Sequence, residues 1–213
     1  MLKVNTHGKN KFTIFYIEEL NGGGMGFGAE YPDIIKRLYP NKIFNHCLDW
    51  CSGPGFIGLE ILDQGLCKQL SLVDIYQPAI DHAQYTISHN NLQNAVTTYC
   101  AGDIGTLPNV KFDLVVANPP HYDVDHEHPS KRIMDDPNWD IHRNFYNKIS
   151  NYLTDDGVIL IQENMDGSKP EHFTEMIESN NLEIIDVIKS PTWFEESTHL
   201  MIYYIQIHKN NGV

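Results

Sequence analysis

Short apolar runs alternate with stretches of helical spacing along most of the chain. Residues Lys11 to Glu18 alternate weakly and read as a strand or short hairpin arm. Tyr31 to Tyr39 carries a proline near its first turn and reads as a helix that Pro40 and Asn41 end. A short strand centred on Leu48 to Trp50 runs into a glycine-rich turn, after which Phe56, Ile57, Leu59, Ile61 and Leu62 mark a helix. A strand over Gln69 to Ile75, a helix from Pro78 to Asn90, a strand over Val96 to Ala101 and a strand over Phe112 to Ala117 continue the alternation. Beyond them come a helix over Ile141 to Leu153, a turn at Asp155, Asp156 and Gly157, a buried strand over Val158 to Gln162 and a helix over Pro170 to Ser179. Leu182 to Ile188 and Leu200 to Ile207 read as two final strands, and the second could pair antiparallel between its neighbours. Strands alternating with helices in this way predict an α/β fold built on a mostly parallel sheet.

The chemistry gathers at the strand ends. After Leu48 to Trp50, Gly53 and Gly55 permit positive φ and let a ligand approach the backbone, and Gly58 lets the next helix pack close to the sheet. Strand, glycine turn and helix form the arrangement that cradles nucleotide-like ligands in doubly wound folds. The next strand ends at Asp74, where two carboxylate oxygens suit two vicinal hydroxyls. The third leads to Asp103. The fourth, with Leu114, Val115, Val116 and Ala117, stops at Asn118-Pro-Pro-His121. Two prolines cannot continue a hydrogen-bonded ladder. They leave the Asn118 side-chain oxygen and the Pro119 carbonyl facing one space, a pair of acceptors suited to a planar nitrogen with two hydrogens. Holding such a weak nucleophile in position supplies several kcal/mol toward reaction. In an open parallel sheet all four strand ends lie along the carboxyl edge where ligands bind.

Composition narrows the partners. The 213 residues suffice for one α/β domain. A net charge of -13 argues against a non-specific polyanion binder and so disfavours a nucleic acid acceptor. The absence of Lys and Arg from the glycine turn, with Asp49 just before it, points to a ribose-bearing ligand of little negative charge. The stretch His121-Tyr-Asp-Val-Asp-His-Glu-His128 has loop spacing with no preorganised metal pair; it reads as an acidic loop facing a basic protein or peptide. Cys47, Cys51, Cys67 and Cys100 form no Cys-x-x-Cys pair, which indicates free thiols in a reducing compartment such as the cytoplasm. No apolar run approaches the roughly 20 residues of a membrane span. Residues 1–30 read as an N-terminal arm followed by a glycine-rich flap over 21–30, and residues 31–213 as the catalytic domain.

With these residues in place, the chain resembles the class I S-adenosylmethionine-dependent methyltransferases. It is most similar to the Asn-Pro-Pro-aromatic, amino-methylating branch, and within it to the protein-glutamine methyltransferases of release factors. The resemblance runs from Tyr31 to Ile207 and rests on Leu48-Asp-Trp-Cys-Ser-Gly-Pro-Gly55, Val73-Asp-Ile75, Gly102-Asp-Ile104, Ala117-Asn-Pro-Pro-His121 and the segment around Asp140-Ile-His-Arg-Asn-Phe-Tyr146. It implies a Rossmann-like, mostly parallel seven-stranded sheet with helices on both faces and an antiparallel inserted strand. It implies S-adenosylmethionine as cofactor, S-adenosylhomocysteine as product, and a cofactor shell of Asp49, Cys51, Gly53, Gly55, Asp74, Ile75, Asp103, Ile104 and Asn118. Asn118 and Pro119 would hold the acceptor nitrogen, with Pro120 and His121 completing the catalytic turn. The expected acceptor is a protein glutamine; adenine N6, a small molecule, and a non-catalytic cofactor-binding subunit remain alternatives. His121 stands where this branch usually has Tyr or Phe. A neutral ring there can stack on a planar amide, whereas a protonated one repels a sulfonium, so activity is expected to rise through the histidine range near about pH 6.5.

Overall fold

Seven strands of a mostly parallel sheet, with helices between them, and one separate two-stranded hairpin account for the strands of the described residues. The computed structural model describes residues 3–7, 12–20, 26, 28–126, 132–195 and 200–210. The flap expected over 21–30 falls largely outside them, as do residues 127–131 of the acidic loop. The chain packs as two compact units, Met1–Gly102 and Asp103–Val213.

In the first unit, β1 (Lys3–His7) and β2 (Phe12–Tyr16) form an antiparallel hairpin. Helix α1 (Tyr31–Leu38) follows, then β3 (Phe44–Trp50), α2 (Phe56–Asp63), β4 (Cys67–Asp74), α3 (Gln77–His89) and β5 (Val96–Cys100). The three later strands run parallel in the order β5-β4-β3. β2 docks on α3 through polar side chains. Thr86 Oγ1 accepts from the Phe15 N–H at 3.0 Å, and Asn90 both accepts from the Thr13 N–H and donates to its carbonyl. The Phe15 ring meets the edges of Tyr85 and His89. An arm was expected here, but its partner β1 carries no apolar alternation and had escaped notice.

The second unit comprises β6 (Phe112–Ala117), α4 (Asp140–Ile149), β7 (Leu153–Asn164), α5 (Pro170–Glu178), β8 (Leu182–Glu195) and β9 (Leu200–Lys209). Its strands lie in the order β6-β7-β9-β8. β6 and β7 are parallel, and β9 is antiparallel to both its neighbours. Every residue of β6 is buried. Leu114, Val115 and Val116 each contribute roughly 1.5–3 kcal/mol by leaving water.

Two boundaries differ from the sequence reading. Asp155, Asp156 and Gly157 do not end a segment in a turn but lie inside β7; Phe112 pairs with Leu153 and Leu114 with Val158, so the extra residues form a bulge that leaves Asp155 and Asp156 exposed. β8 runs past Ile188 to Glu195 because it is an edge strand, where Pro191 needs no partner for its missing N–H. No described helix is long and apolar enough to cross a membrane.

Candidate active site

The first unit builds a polar cradle at the ends of β3 and β4. Asp49 is completely buried on β3, paired across to Leu72. The chain then turns sharply: Cys51 has φ 55°, Gly53 φ 53° and Gly55 φ 91°. Ser52 donates to the Val73 carbonyl at 3.0 Å, and Gly55 donates to the Ser52 carbonyl at 2.9 Å, which fixes the turn to the sheet. A side chain at Gly55 would combine a left-handed backbone with a carbon 2.9 Å from Leu72 Cδ1. At Gly58 a Cβ would lie 2.7 Å from Leu70 Cδ1 and 3.0 Å from Asp49, so glycine is what lets α2 press onto that carboxylate.

Asp49 Oδ2 accepts from the Gly58 N–H at 2.8 Å, while Oδ1 has no hydrogen-bond partner among the described residues. Burial pushes the Asp49 carboxyl up to about 8, the Gly58 bond opposes the shift, and the negative charge of Asp74 adds to it. Asp74 Oδ2 accepts from the Gly53 N–H and Oδ1 from the Tyr76 N–H, both at 2.8 Å. Burial raises this carboxyl too, against the bonds from Tyr76 and Gly53. Ile75 and Tyr76 are 76% and 54% exposed, an apolar surface beside Asp74 fit to cover a planar ring. Gly102 leaves the Ile75 side chain room, since a Cβ there would meet Ile75 Cδ1 at 2.7 Å. An orphaned buried carboxylate oxygen, a backbone turn open to close approach and an exposed apolar shelf fit a cationic nucleoside such as S-adenosylmethionine.

The second unit opens at Asp103. Its Oδ1 accepts from the Gly105 N–H at 2.7 Å and its Oδ2 from Lys148 Nζ at 2.5 Å. The Lys148 ammonium, then the Gly105 N–H, hold this carboxyl below its usual range. Ile104 is buried beside it. The resemblance puts Asp103 in the cofactor shell; its lysine partner was not anticipated. Past β6, Pro119 is buried, and Asn118 Oδ1 is buried with no hydrogen-bond partner among the described residues.

His121 is buried, and both its N–H and that of Tyr122 donate to the Met134 carbonyl. Its Nδ1 lies 3.0 Å from Glu163 Oε2 at the end of β7. Ser168 Oγ donates to the same oxygen at 2.6 Å. Glu163 Oε1 accepts from His142 Nε2 at 2.8 Å, and His142 Nδ1 donates to Asp136 Oδ2 at 2.6 Å. Asp136 in turn accepts the Ile141 and His142 N–H groups at the start of α4. Asp136, His142 and Glu163 are wholly buried. Burial disfavours the His142 charge, but the Glu163 and Asp136 carboxylates outweigh it and raise its pKa to about 9. Burial likewise opposes the Glu163 charge, yet the His142 cation and the hydrogen bonds from His121 and His142 bring it down to about 2. The ring of His142 stacks on Phe173 with centroids 4.4 Å apart.

This buried chain was missed in the sequence. On α4 the buried positions are His142, Phe145, Tyr146 and Ile149. The overlooked signal was a glutamate directly after the apolar run of β7. Gly167 packs against the catalytic turn so closely that a Cβ would lie 2.5 Å from the His121 carbonyl oxygen. In the acidic loop Asp123 accepts from the Asn138 N–H and His126 pairs with Asp135, so part of its charge is already engaged internally.

The mostly parallel seven-stranded sheet with its helices is a Rossmann-like class I methyltransferase fold. The chain belongs to the methyltransferase small domain family, whose model matches residues 33–183. It is similar to the ribosomal RNA small subunit methyltransferase C of Haemophilus influenzae strain PittGG, at 34% identity over 91 residues, 43% of this chain and 27% of that protein. It is also similar to the ribosomal protein uL3 glutamine methyltransferase of Francisella tularensis, at 28% identity over 125 residues, 54% of this chain and 40% of that protein. The matches thus span well under half the length of these relatives. Among solved structures, an S-adenosylmethionine-dependent methyltransferase from Clostridium acetobutylicum superposes with a TM-score of 0.62 at 15% identity, covering 87% of this chain and 92% of that one. Trm5 of Methanocaldococcus jannaschii in complex with adenosine gives a TM-score of 0.63 at 13% identity over 100% of this chain and 58% of the other. Both share its fold.

Proposed function

We propose that this protein is an S-adenosylmethionine-dependent N-methyltransferase that acts on a planar amide nitrogen, specifically a glutamine side chain of a protein. The observation that carries this reading is the buried, unpartnered Oδ1 of Asn118 past the end of β6. A buried carbonyl oxygen without a partner costs about 1–3 kcal/mol. An acceptor N–H would relieve that cost and be oriented by doing so. The glycine turn, Asp49, Asp74 and Ile75 are assigned to the cofactor, with Cys51, Asp103 and Ile104 as further members of its shell. The cofactor supplies an electrophilic methyl group on a sulfonium. Asn118 and the Pro119 carbonyl hold the amide N–H groups and so aim the nitrogen lone pair, while Pro120 keeps the turn rigid.

A protein acceptor is favoured by the net charge of -13 and by exposed Asp125 beside the catalytic turn. The similarity to a uL3 glutamine methyltransferase supports the same choice. The second reading, an amino group on ribosomal RNA, is kept because of the similarity to ribosomal RNA small subunit methyltransferase C. Base targets of that kind must be unstacked before they can react. The test is transfer of labelled methyl to salt-washed ribosomal subunits and their extracted proteins, followed by protease or nuclease. Label released by protease supports the glutamine reading, and label released by nuclease refutes it in favour of RNA. Asn118→Ala should abolish transfer; transfer by that variant at the wild-type rate would remove Asn118 from the reaction.

A further inference from the structure

We propose that His121 is the base that receives the proton shed by the methylated nitrogen, and that Glu163 is the positioning residue that keeps His121 ready to receive it. This rests on the acceptor reading above and adds to it a residue that orientation by Asn118 does not require.

The argument begins with which atoms can donate. His142 places one ring nitrogen on Asp136 and the other on Glu163, at 2.6 and 2.8 Å. A ring with a carboxylate on each nitrogen is a double donor, and therefore an imidazolium. Its charge holds Glu163 ionised, and an ionised carboxylate only accepts. The nitrogen of His121 that faces Glu163, Nδ1, must then carry the hydrogen. That fixes the second nitrogen, Nε2, as a bare lone pair. No described residue bonds to Nε2, and the His121 side chain keeps 11% of its surface accessible. The chain thus presents a base three residues after Asn118, on the same proline-stiffened turn.

The transfer itself needs such a group. The nitrogen lone pair forms the new bond to the methyl carbon as the carbon–sulfur bond breaks with its electron pair onto sulfur. The nitrogen then carries one proton too many. It gives that N–H proton to His121 Nε2, which becomes an imidazolium beside the Glu163 carboxylate and later returns the proton to solvent. Every other charged or titratable group around Glu163 suits this role. Ser168 Oγ donates to Oε2, Tyr146 packs close and stays neutral through burial and the Glu163 charge, and Tyr203, held neutral in the same way, gives its hydroxyl to the Ser168 carbonyl. The Glu171 charge acts on Tyr203 and keeps it neutral as well. None of these donors competes for Nε2.

Two measurements on the full chain test the proposal. In nuclear magnetic resonance of the protein with 15N-labelled histidine, the His121 ring, assigned by its loss in His121→Phe, should be the Nδ1–H tautomer with Nε2 unprotonated at neutral pH. In Glu163→Gln the Nε2–H tautomer should appear. In methyl transfer to salt-washed ribosomal subunits and extracted ribosomal proteins, His121→Phe should lower kcat about a hundredfold without changing cofactor KM, and should remove the rising limb of the pH–rate profile. Glu163→Gln should lower kcat and displace that limb, an effect that a merely structural role would not produce. An Nε2–H ring in the wild type overturns the proposal, and so does a His121→Phe enzyme within about threefold of wild-type kcat, because a stacking ring would then suffice. If the wild type labels neither probe, the acceptor reading fails and takes this role with it. If Asn118→Ala loses transfer but His121→Phe does not, only the proposal for His121 fails.

Discussion

Replacing Asp49 with asparagine should uncouple much of the protein's stability from pH. Asp49 is entirely buried, with one oxygen on the Gly58 N–H and the other unpartnered, and its carboxyl is raised from 3.8 to about 8. In the unfolded chain this residue is ionised above about pH 4. Between pH 5 and 7 the folded state therefore holds one proton more than the unfolded state. Stability then falls as pH rises, by about 1.4 kcal/mol per unit for this group, and the fall stops as pH passes the folded value. From pH 5 to 7 the cost amounts to roughly 3 kcal/mol. Asparagine has the same shape and can still accept the Gly58 hydrogen bond, but has no proton to lose. Urea unfolding of both proteins at pH 5, 6 and 7 measures the difference. The other strongly shifted groups are common to both proteins and cancel. The stability from Glu163, depressed to about 2, is present above the ordinary carboxylate range and lost only as pH falls toward that value; the stability from His142, raised to about 9, is full below the ordinary histidine range and lost as pH rises through 9. Asp49→Asn should gain on the wild type at each step. Parallel stability curves for the two proteins would refute the buried, protonated Asp49. In the proposed enzyme the same replacement weakens cofactor binding, because a cation meeting Asp49 draws it to the ionised form and releases a proton.

Asp74→Ala removes charge-assisted bonds worth about 1.5–3 kcal/mol and should weaken cofactor binding ten- to a hundredfold by calorimetry; an unchanged dissociation constant would remove Asp74 from the cofactor site. His142→Ala leaves the Asp136 and Glu163 carboxylates buried without the cation between them, which should cost about 3–5 kcal/mol of unfolding free energy; a loss below about 1 kcal/mol would contradict the charged state assigned to His142. Gly167→Ala places a carbon 2.5 Å from the His121 carbonyl oxygen and 2.6 Å from the Tyr122 ring, so it should cost about 1–3 kcal/mol and impair methyl transfer while leaving cofactor affinity unchanged. Equal effects on transfer and cofactor affinity would mean that the damage is global.

The legible parts of this chain were those written locally. β6 is an unbroken apolar run closed by two prolines, and the turn at Gly53 and Gly55 sits directly between a strand and a helix. Both announce themselves within a dozen residues. The Asp155, Asp156 and Gly157 triplet carries turn chemistry just as openly, yet a sheet can absorb it as a bulge, and nothing local separates the two outcomes. β1 could not be read because its five residues gain their place only by pairing with β2. The chain of Asp136, His142, Glu163 and His121 lay further out of reach. His121 and Glu163 are 42 positions apart, and His142 and Glu163 are 21 apart. A histidine on a helix and a glutamate at the end of a strand are ordinary residues until the sheet order brings β6 and β7 side by side.

That pairing also gives a physical reason for the imidazole at position 121. Asp136, His142 and Glu163 together carry one net negative charge in a region closed to water. Such a charge is tolerated only if its oxygens are filled by donors. Oε1 of Glu163 is filled by His142, and the Asp136 oxygens by His142 and the first N–H groups of α4. Oε2 is filled by Ser168 and by His121. A phenyl ring at 121 would offer a stacking surface and no hydrogen, leaving Oε2 to the serine alone. An imidazole offers a similar flat face and also the missing donor, and with Nδ1 committed to Glu163 its other nitrogen is left basic. The imidazole at position 121 and the buried glutamate are thus one feature, since each supplies what the other lacks.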